Sequence, residues 1–312
     1  MIDTLNMWID RSNMAGGDTF AILPFLSDIE EKNSETKGYS YSGHLDSYDI
    51  RINQARIVIA GSLPQYFLPS NLYTLSRSTM QEALEKMSDE LHTDIMAAKV
   101  WRFDIAALFP TKRPPADYFS CLGEKDRFRR LQATAETLYY STAQRQLICY
   151  DKTKEAAAKG AIVPPDLTDC NLFRYELRYK ENLQRQLKLN EPLTAGKLID
   201  QDFYLKIVYL WRDEFRTIKK IKTISAMSGQ IKKPKDALSL FYAKAIQKAG
   251  FTQQEINDYI NDLKADRVFD DPKAYTRMKA DLYKMLQIKP DEQNELAKEL
   301  EQTINDIAFY AR

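Results

Sequence analysis

The feature that most constrains this chain is a set of three short segments that each have the pattern of a β-strand. They are residues 100–105 (VWRFDI), 146–152 (QLICYDK) and 172–178 (LFRYELR). Because successive side chains of a β-strand point to opposite faces of a sheet, Arg102 and Asp104 are expected on one face. Trp101, Phe103 and Ile105 are expected on the other. The alternation therefore predicts strands with one charged face and one buried face.

The same alternation groups reactive side chains on the other two segments. Tyr150 and Lys152 are expected to share a face, and so are Arg174, Glu176 and Arg178. If the three strands are neighbours in one sheet, a tyrosine hydroxyl, a lysine and two carboxylates gather on a single surface. Such a set suits metal-assisted phosphoryl transfer through a tyrosine nucleophile.

Each of these side chains has a role in that chemistry. A tyrosine hydroxyl has an ordinary pKa of about 10, so Tyr150 needs activation, which Lys152 can supply. Asp104 and Glu176 can hold Mg²⁺ or Mn²⁺, because hard divalent ions bind carboxylate oxygens. The guanidinium groups expected to bind DNA phosphates are those of Arg102, Arg174 and Arg178.

Structural explanations of the same residues stay open. A single tyrosine on a strand usually packs or forms a hydrogen bond, and alternating Arg and Glu usually form cross-strand pairs on a solvated face. An Asp beside an Arg usually forms a salt bridge. Tyr139 and Tyr140 lie on the partner strand of a predicted hairpin and rival Tyr150 as the nucleophile.

Charge indicates nucleic-acid binding locally rather than globally. The formal net charge is only +1, but residues 216–235 hold seven Lys and Arg and no Asp or Glu. Clustered cations can produce a binding field that the net charge hides. Lys219, Lys220 and Lys222 are therefore predicted DNA contacts, and the alternative is a solvated helix end and linker.

The three cysteines and two histidines argue against a disulfide framework and a zinc site, because they are scattered along the sequence. Residues 1–4 lack the basic start of a signal peptide, and no apolar run is long enough to cross a bilayer. We expect reduced thiols, no membrane partner and a cytoplasmic location.

The coarse pattern predicts an α+β fold: an antiparallel sheet with helices on one face, followed by a small all-α C-terminal domain. The predicted domains are residues 1–225 and 226–312. Predicted helices include 78–92 with Ser78 as the cap, 124–136, and 200–222. Near the end, Thr252 and Glu255 have the spacing of a capping box.

Five short segments are more informative about the family of the chain when their order along the sequence is considered than when each is taken alone. They are residues 1–5 (MIDTL), 61–67 (GSLPQYF), 102–104 (RFD), 150–152 (YDK) and 174–176 (RYE). Together they resemble the filamentous-phage gene II and gene X replication initiators and their plasmid relatives. In the same order, the segments are similar to that family's start, its Gly-Ser-Leu stretch, its Arg-Ile-Asp strand, its Tyr-x-Lys motif and its Arg-Phe-Glu strand. The resemblance covers roughly residues 1–225. Rolling-circle plasmid initiators and relaxases have similar Tyr-x-Lys and Arg-x-Glu elements.

The resemblance implies a rolling-circle initiator that nicks and rejoins one strand of an origin through a 5′-phosphotyrosine. Tyr150 matches the nucleophile and Lys152 its companion, with Asp104 and Glu176 as the metal site of a metal-dependent DNA strand transferase. The implied partners are double-stranded origin DNA, single-stranded DNA and a host replication helicase or polymerase, in the bacterial cytoplasm. A homodimer stays open.

Three other functions also stay open. One is a non-catalytic, sequence-specific DNA-binding replication regulator, and another is a relaxase of a mobile element. The third is an adaptor whose residues 236–312, which match nothing in the phage proteins, recruit a host replication protein. The His-hydrophobic-His metal motif of other rolling-circle enzymes is absent from the sequence.

Overall fold

The computed structural model describes residues 1–34, 38–68, 70, 72–161, 163–223, 233–287 and 292–311. The chain divides into two compact units, one of Met1–Lys219 with Glu299–Arg312 and the other of Lys220–Lys298. The domain boundary predicted between residues 225 and 226 lies outside the described residues, and that division stays a prediction. Within the described ranges, no helix is both long enough and apolar enough to cross a membrane.

A ten-stranded antiparallel sheet is the frame of the first unit. Its strands are β1 (Ile2–Asp10), β2 (Ser27–Ser34), β3 (Gly38–Leu45), β4 (Tyr48–Asn53), β5 (Arg56–Ser62), β6 (Lys99–Thr111), β7 (Arg129–Thr134), β8 (Thr137–Ser141), β9 (Arg145–Asp151) and β10 (Asn171–Tyr179). They lie in the order β2-β3-β4-β5-β1-β6-β10-β9-β8-β7. The segments with predicted site residues are therefore three adjacent strands, β6, β10 and β9.

Alternation along these strands gives the sheet two different faces. Phe103, Ile105, Tyr175 and Leu177 are fully buried on one face, here called the helix-covered face. The opposite face, here called the open face, holds the polar side chains of the same strands, as period-two alternation requires. It is defined by Arg102, Asp104, Tyr150, Arg174, Glu176 and Arg178.

Helices pack on the apolar face because their own apolar side chains recur at helical spacing. The helices of this unit are α1 (Leu63–Phe67), α2 (Arg77–Glu90), α3 (Pro115–Phe119), α4 (Lys152–Ala158), α5 (Leu183–Leu187), α6 (Ala195–Ile199) and α7 (Gln201–Arg216). Trp211 of α7 is fully buried against Tyr175, with ring centroids 5.0 Å apart. The Tyr175 hydroxyl donates a hydrogen bond to the Trp211 carbonyl at 3.1 Å. The helix predicted over residues 200–222 is present as α7, but it ends at Arg216.

The second unit is mainly helical. It contains α8 (Pro234–Ala249), α9 (Gln253–Ala265), α10 (Pro272–Gln287) and the start of α11 (Glu295–Tyr310), with the short pair β11 (Lys222–Thr223) and β12 (Glu292–Gln293). The predicted capping box of Thr252 and Glu255 is present at the start of α9. From Glu299 onward α11 belongs to the first unit, where Glu299 accepts a hydrogen bond from the Lys112 backbone at 3.0 Å. The predicted α+β class with a helical C-terminal region is confirmed.

Residues 124–136 do not form the predicted helix. The segment contains β7, in which Leu131 lies opposite Tyr139 of β8. Arg127 has a φ of 67°, a left-handed conformation that no α-helix contains. Pairing with β8 therefore outweighs the local helix propensity.

A β-bulge at Trp101 interrupts the predicted alternation of β6. Asn6 of β1 lies opposite Arg102 and Met7 lies opposite Val100, so Trp101 is an extra residue in β6. A bulge reorients side chains relative to simple alternation. Trp101 is 37% exposed, whereas Phe103 is fully buried. The prediction that both share the buried face is wrong for Trp101.

The N-terminus of α2 gives a direct test of a local assignment. Ser76, not the predicted Ser78, is the N-cap, and its hydroxyl accepts a hydrogen bond from the Thr79 backbone at 3.1 Å. Ser76→Ala should lower the free energy of unfolding by about 1 kcal/mol, because that backbone donor loses its partner. The matched variant Ser78→Ala should have the smaller effect in urea titrations. The reverse order would contradict the assigned cap.

Candidate active site

The polar side chains of three neighbouring strands meet on the open face. β10 pairs with β6 on one side and with β9 on the other. Arg178 lies opposite Asp104, and Arg174 lies opposite Tyr150. Neighbouring strands are about 4.8 Å apart, so side chains from all three strands can reach one another.

Tyr150 lies near the end of β9, and its hydroxyl contacts Glu176. The hydroxyl donates a hydrogen bond of 2.8 Å to Glu176 Oε1. Burial raises the pKa of Tyr150 far above its ordinary value, and although Arg174 opposes the shift, the charge of Glu176 adds to it. The hydroxyl is therefore protonated at neutral pH. Glu176 is the group placed to accept its proton.

Arg174 is the buried cation of the site. It is 4% exposed, its Nε donates to Glu176 Oε1 at 2.8 Å, and its Nη2 lies 2.6 Å from Asp3 Oδ1. The other oxygen of Glu176 accepts a hydrogen bond from Arg178 Nη2 at 3.1 Å. Burial by itself raises the pKa of Glu176, but the attraction of Arg174 and Arg178 outweighs it, and the net pKa is below the ordinary value. Glu176 is thus ionised at neutral pH.

Asp104 of β6 is fully buried and paired with two arginines. Arg102 donates to both of its oxygens, from Nε to Oδ1 at 3.2 Å and from Nη2 to Oδ2 at 2.9 Å. Arg178 Nε lies 3.1 Å from Oδ2. Burial raises the pKa of Asp104, although Arg102 opposes the shift. Arg178 therefore links the two predicted metal ligands, Asp104 and Glu176.

Lys152 belongs to a helix rather than to the strand on which it was predicted. β9 ends at Asp151, whose carboxylate caps α4 by accepting a hydrogen bond from the Lys154 backbone at 3.1 Å. Lys152 Nζ lies 2.7 Å from Glu155 Oε2, and burial lowers the pKa of the lysine. Lys152 still lines the same cavity as Tyr150.

That cavity has a volume of about 350 Å³ and distinguishes the two rival tyrosines. Its lining consists of Asp3, Ser62, Gln65, Thr137, Tyr139, Ile148, Tyr150, Lys152, Glu155, Lys159, Arg174, Glu176 and Arg178. Tyr139 therefore lies beside the proposed chemistry. Tyr140 is fully buried on the helix-covered face, where its hydroxyl donates to the Gly123 carbonyl at 2.7 Å. Only Tyr139 of the two is placed to replace Tyr150.

Asp104 and Glu176 supply the carboxylate oxygens that a hard divalent ion prefers, but both carboxylates are paired with arginines. Mg²⁺ is commonly held by one or two carboxylates together with water and substrate phosphate. In the part of the chain that the structure describes, no group of three or more His, Cys, Asp or Glu side chains is arranged to hold a metal. Asp104 and Glu176 therefore fit Mg²⁺ or Mn²⁺ provided that Arg102 moves away from Asp104 and Arg178 moves away from both carboxylates.

Of the predicted DNA-binding lysines, Lys219 lies apart from this cluster. Lys219 Nζ pairs with Asp126 at 2.7 Å, and its backbone N–H donates to the Glu124 carbonyl. These residues adjoin Gly123, the acceptor for Tyr140, so Lys219 is associated with the helix-covered side. Lys220 and Lys222 belong to the second unit, and their part in DNA binding stays a prediction.

Asp3 and Glu155 complete the site without having been assigned a role from the sequence. Asp3 pairs with Arg174, and Glu155 pairs with Lys152 and Lys159. The face of Asp3 could not be deduced by alternation because the β1–β6 register shifts between Ile2 and Leu5. Glu155 did have a signal, since it lies three residues after Lys152 in a helical segment.

A match to a protein family covers the N-terminal part of the chain. A family model described as the N-terminal region of a replication-associated protein, the gene II protein of filamentous phages, matches residues 1–202. The matched range includes the strands with Asp104, Tyr150 and Glu176. No curated protein matches the chain significantly.

Proposed function

The chain belongs to the phage replication-associated protein family whose model covers residues 1–202, and on that premise we propose that it is a rolling-circle replication initiator. It nicks one strand of a double-stranded origin and later rejoins it, as a metal-dependent DNA strand transferase in the cytoplasm of a bacterial host. The observation that carries the proposal is the 2.8 Å hydrogen bond from Tyr150 to Glu176 on an arginine-rich face.

The proposed reaction is a transesterification at phosphorus. Tyr150 Oη attacks the scissile phosphate while its proton passes to Glu176. The bond from phosphorus to the 3′ oxygen breaks, and that oxygen leaves as an alcohol with a proton from solvent. A 5′-phosphotyrosine remains, and the free 3′ hydroxyl primes synthesis. Attack by a 3′ hydroxyl on the phosphotyrosine reverses the step and rejoins the strand.

The arginines are proposed to exchange carboxylates for phosphates when DNA binds. The side chains of Arg102 and Arg178 are 28% and 30% exposed, so each can turn from Asp104 towards a phosphate oxygen. Arg174 is buried and stays to orient Glu176. Asp104 and Glu176 are the residues that would hold Mg²⁺ or Mn²⁺, and the ion would add positive charge beside the scissile phosphate.

The proposed partners follow from the same activity. They are double-stranded origin DNA, the single strand displaced during synthesis, and a host helicase or polymerase that extends the 3′ end. A homodimer that holds two strand ends is part of the proposal.

Nicking of supercoiled DNA tests this function. The protein is incubated with supercoiled DNA of the element that encodes it, with Mg²⁺ or with EDTA. We expect open circles and relaxed closed circles with Mg²⁺, and unchanged supercoiled DNA with EDTA. Salt-sensitive binding that leaves all the DNA supercoiled under both conditions would instead support the non-catalytic regulator.

A further inference from the structure

A second cavity, of about 840 Å³, lies beside the ends of the central strands. We call it the tryptophan groove and define it by Trp8, Trp101, Lys180, Arg185 and Lys188, which all line it. The two tryptophans come from β1 and β6, and the three cations come from the segment that begins after β10. The groove thus combines aromatic rings with positive charge.

The tryptophans are available for stacking. The bulge in β6 leaves Trp101 37% exposed, and no aromatic ring of the described residues packs on it. Trp8 is partly buried, with the Arg56 guanidinium 6.0 Å from its ring centroid. Exposing a large aromatic surface is unfavourable unless a ligand covers it. β-Bulges are common next to active sites, where they change the direction in which a side chain points.

The cations of the groove are equally available. The side chains of Lys180, Arg185 and Lys188 form no ion pair within the described residues, whereas Lys99 at the same cavity pairs with Asp10 at 2.7 Å. Glu181 is the acidic residue in the lining. The groove therefore has an excess of positive charge that no described side chain neutralises.

The groove continues from the candidate active site along the same strands. Trp101 adjoins Arg102 in β6, and Lys180 lies two residues beyond Arg178. Arg174, the register partner of Tyr150, is six residues from Lys180, or about 20 Å at ~3.3 Å per residue. That length corresponds to about six nucleotides at ~3.4 Å per nucleotide of a stacked strand.

We propose that the tryptophan groove binds the part of a single DNA strand that lies about six nucleotides from the scissile phosphate. Bases stack on Trp101 and Trp8, and phosphates contact Lys180, Arg185 and Lys188. Stacking on aromatic side chains selects a single strand, because the bases of a duplex already stack on one another. The choice of DNA as the ligand rests on the proposed function, but binding in the groove needs no reaction at Tyr150.

Binding to a fluorescein-labelled oligothymidylate of about 12 nucleotides tests the proposal. The full chain with Tyr150→Phe is used in EDTA, so no cleavage or metal enters the measurement. Trp101→Ala should weaken binding about tenfold in fluorescence anisotropy, and Trp101→Phe should retain most of the affinity. Phe25→Ala removes a similarly exposed ring, 40% exposed and outside the groove, and should leave the affinity unchanged.

Two further readouts separate groove binding from general attraction. Trp211 is buried, so quenching of the protein's tryptophan fluorescence by the oligothymidylate reports Trp8 and Trp101. Lys188→Ala should reduce the slope of log affinity against log salt by about 0.7, the value for one lost phosphate contact. Unchanged affinity in Trp101→Ala without quenching overturns the groove. Equal affinity for a duplex of the same length overturns its preference for a single strand.

The outcomes also distinguish this inference from the proposed function. Oligothymidylate binding that depends on Trp101, in a protein that never nicks supercoiled DNA, supports the groove and contradicts the initiator. Nicking by a protein whose binding is indifferent to Trp101 supports the initiator and contradicts the groove.

Discussion

Tyr150→Phe should slow formation of the covalent protein–DNA adduct by about 10⁴-fold or more. The change removes one oxygen, the proposed nucleophile, and leaves the ring that packs in the cavity. Loss of the hydrogen bond to the charged Glu176 carboxylate costs about 1.5–3 kcal/mol of stability, but Arg174 and Arg178 still pair with Glu176, so the variant should remain folded. The measurement is the initial rate of adduct formation with supercoiled DNA and Mg²⁺, trapped with detergent.

Tyr139→Phe is the matched control, because Tyr139 lines the same cavity. It should keep most of the wild-type rate. A second control, Tyr140→Phe, alters a hydroxyl on the helix-covered face that donates to the Gly123 carbonyl. Adduct formation that survives in Tyr150→Phe and disappears in Tyr139→Phe would transfer the nucleophile role to Tyr139.

Arg174→Ala should lower the free energy of unfolding by about 3–5 kcal/mol. Arg174 is buried between Asp3 and Glu176, so its removal leaves two carboxylates without their main cation in a poorly hydrated position. Arg178→Ala should cost clearly less, because that side chain is 30% exposed and water can replace part of its interaction. Urea titrations of both variants at neutral pH measure the difference, and equal effects would contradict the buried role of Arg174.

The pH dependence gives the same prediction a second readout. The pKa of Glu176 in the folded protein lies below its ordinary value, so its stabilising contribution is fully present above the unfolded pKa of about 4.3. The contribution is lost as the pH falls through the lower folded pKa. Arg174→Ala weakens it, so the stability gap between wild type and variant should shrink below about pH 4. A gap that stays constant down to pH 3 would show that the lost stability does not come from the Glu176 charge.

The face of each strand in the site could be predicted from the sequence because alternation is a local property. Arg102, Asp104, Arg174, Glu176 and Arg178 share the open face as expected. Tyr150 joins them because β9 pairs with β10 in the required register. The two-residue repeat of side-chain direction along each strand, together with adjacency of the strands, was enough to assemble the cluster.

Positions that depend on distant parts of the chain could not be predicted in this way. The exposure of Trp101 and the contact of Asp3 both depend on irregular pairing between β1 and β6. The strand β7 replaces a predicted helix because β8 supplies a partner. The return of α11 to the first unit from Glu299 onward is likewise a tertiary effect.

The sequence also could not specify which charges pair. Residue types on one face suggested a pair of metal ligands, Asp104 and Glu176, flanked by phosphate-binding arginines. Side-chain conformations instead join each of these carboxylates to arginines. Such pairing depends on distances of a few ångströms between strands, which no sequence spacing encodes.

Mass spectrometry of the trapped complex tests the nucleophile most directly. The protein reacts with supercoiled DNA and Mg²⁺, the complex is digested with nuclease and protease, and the peptide that bears the nucleotide is sequenced. We expect a phosphodiester-linked nucleotide on Tyr150. A nucleotide on Tyr139, on another residue, or on no peptide of a protein that nicks DNA would contradict the proposed mechanism.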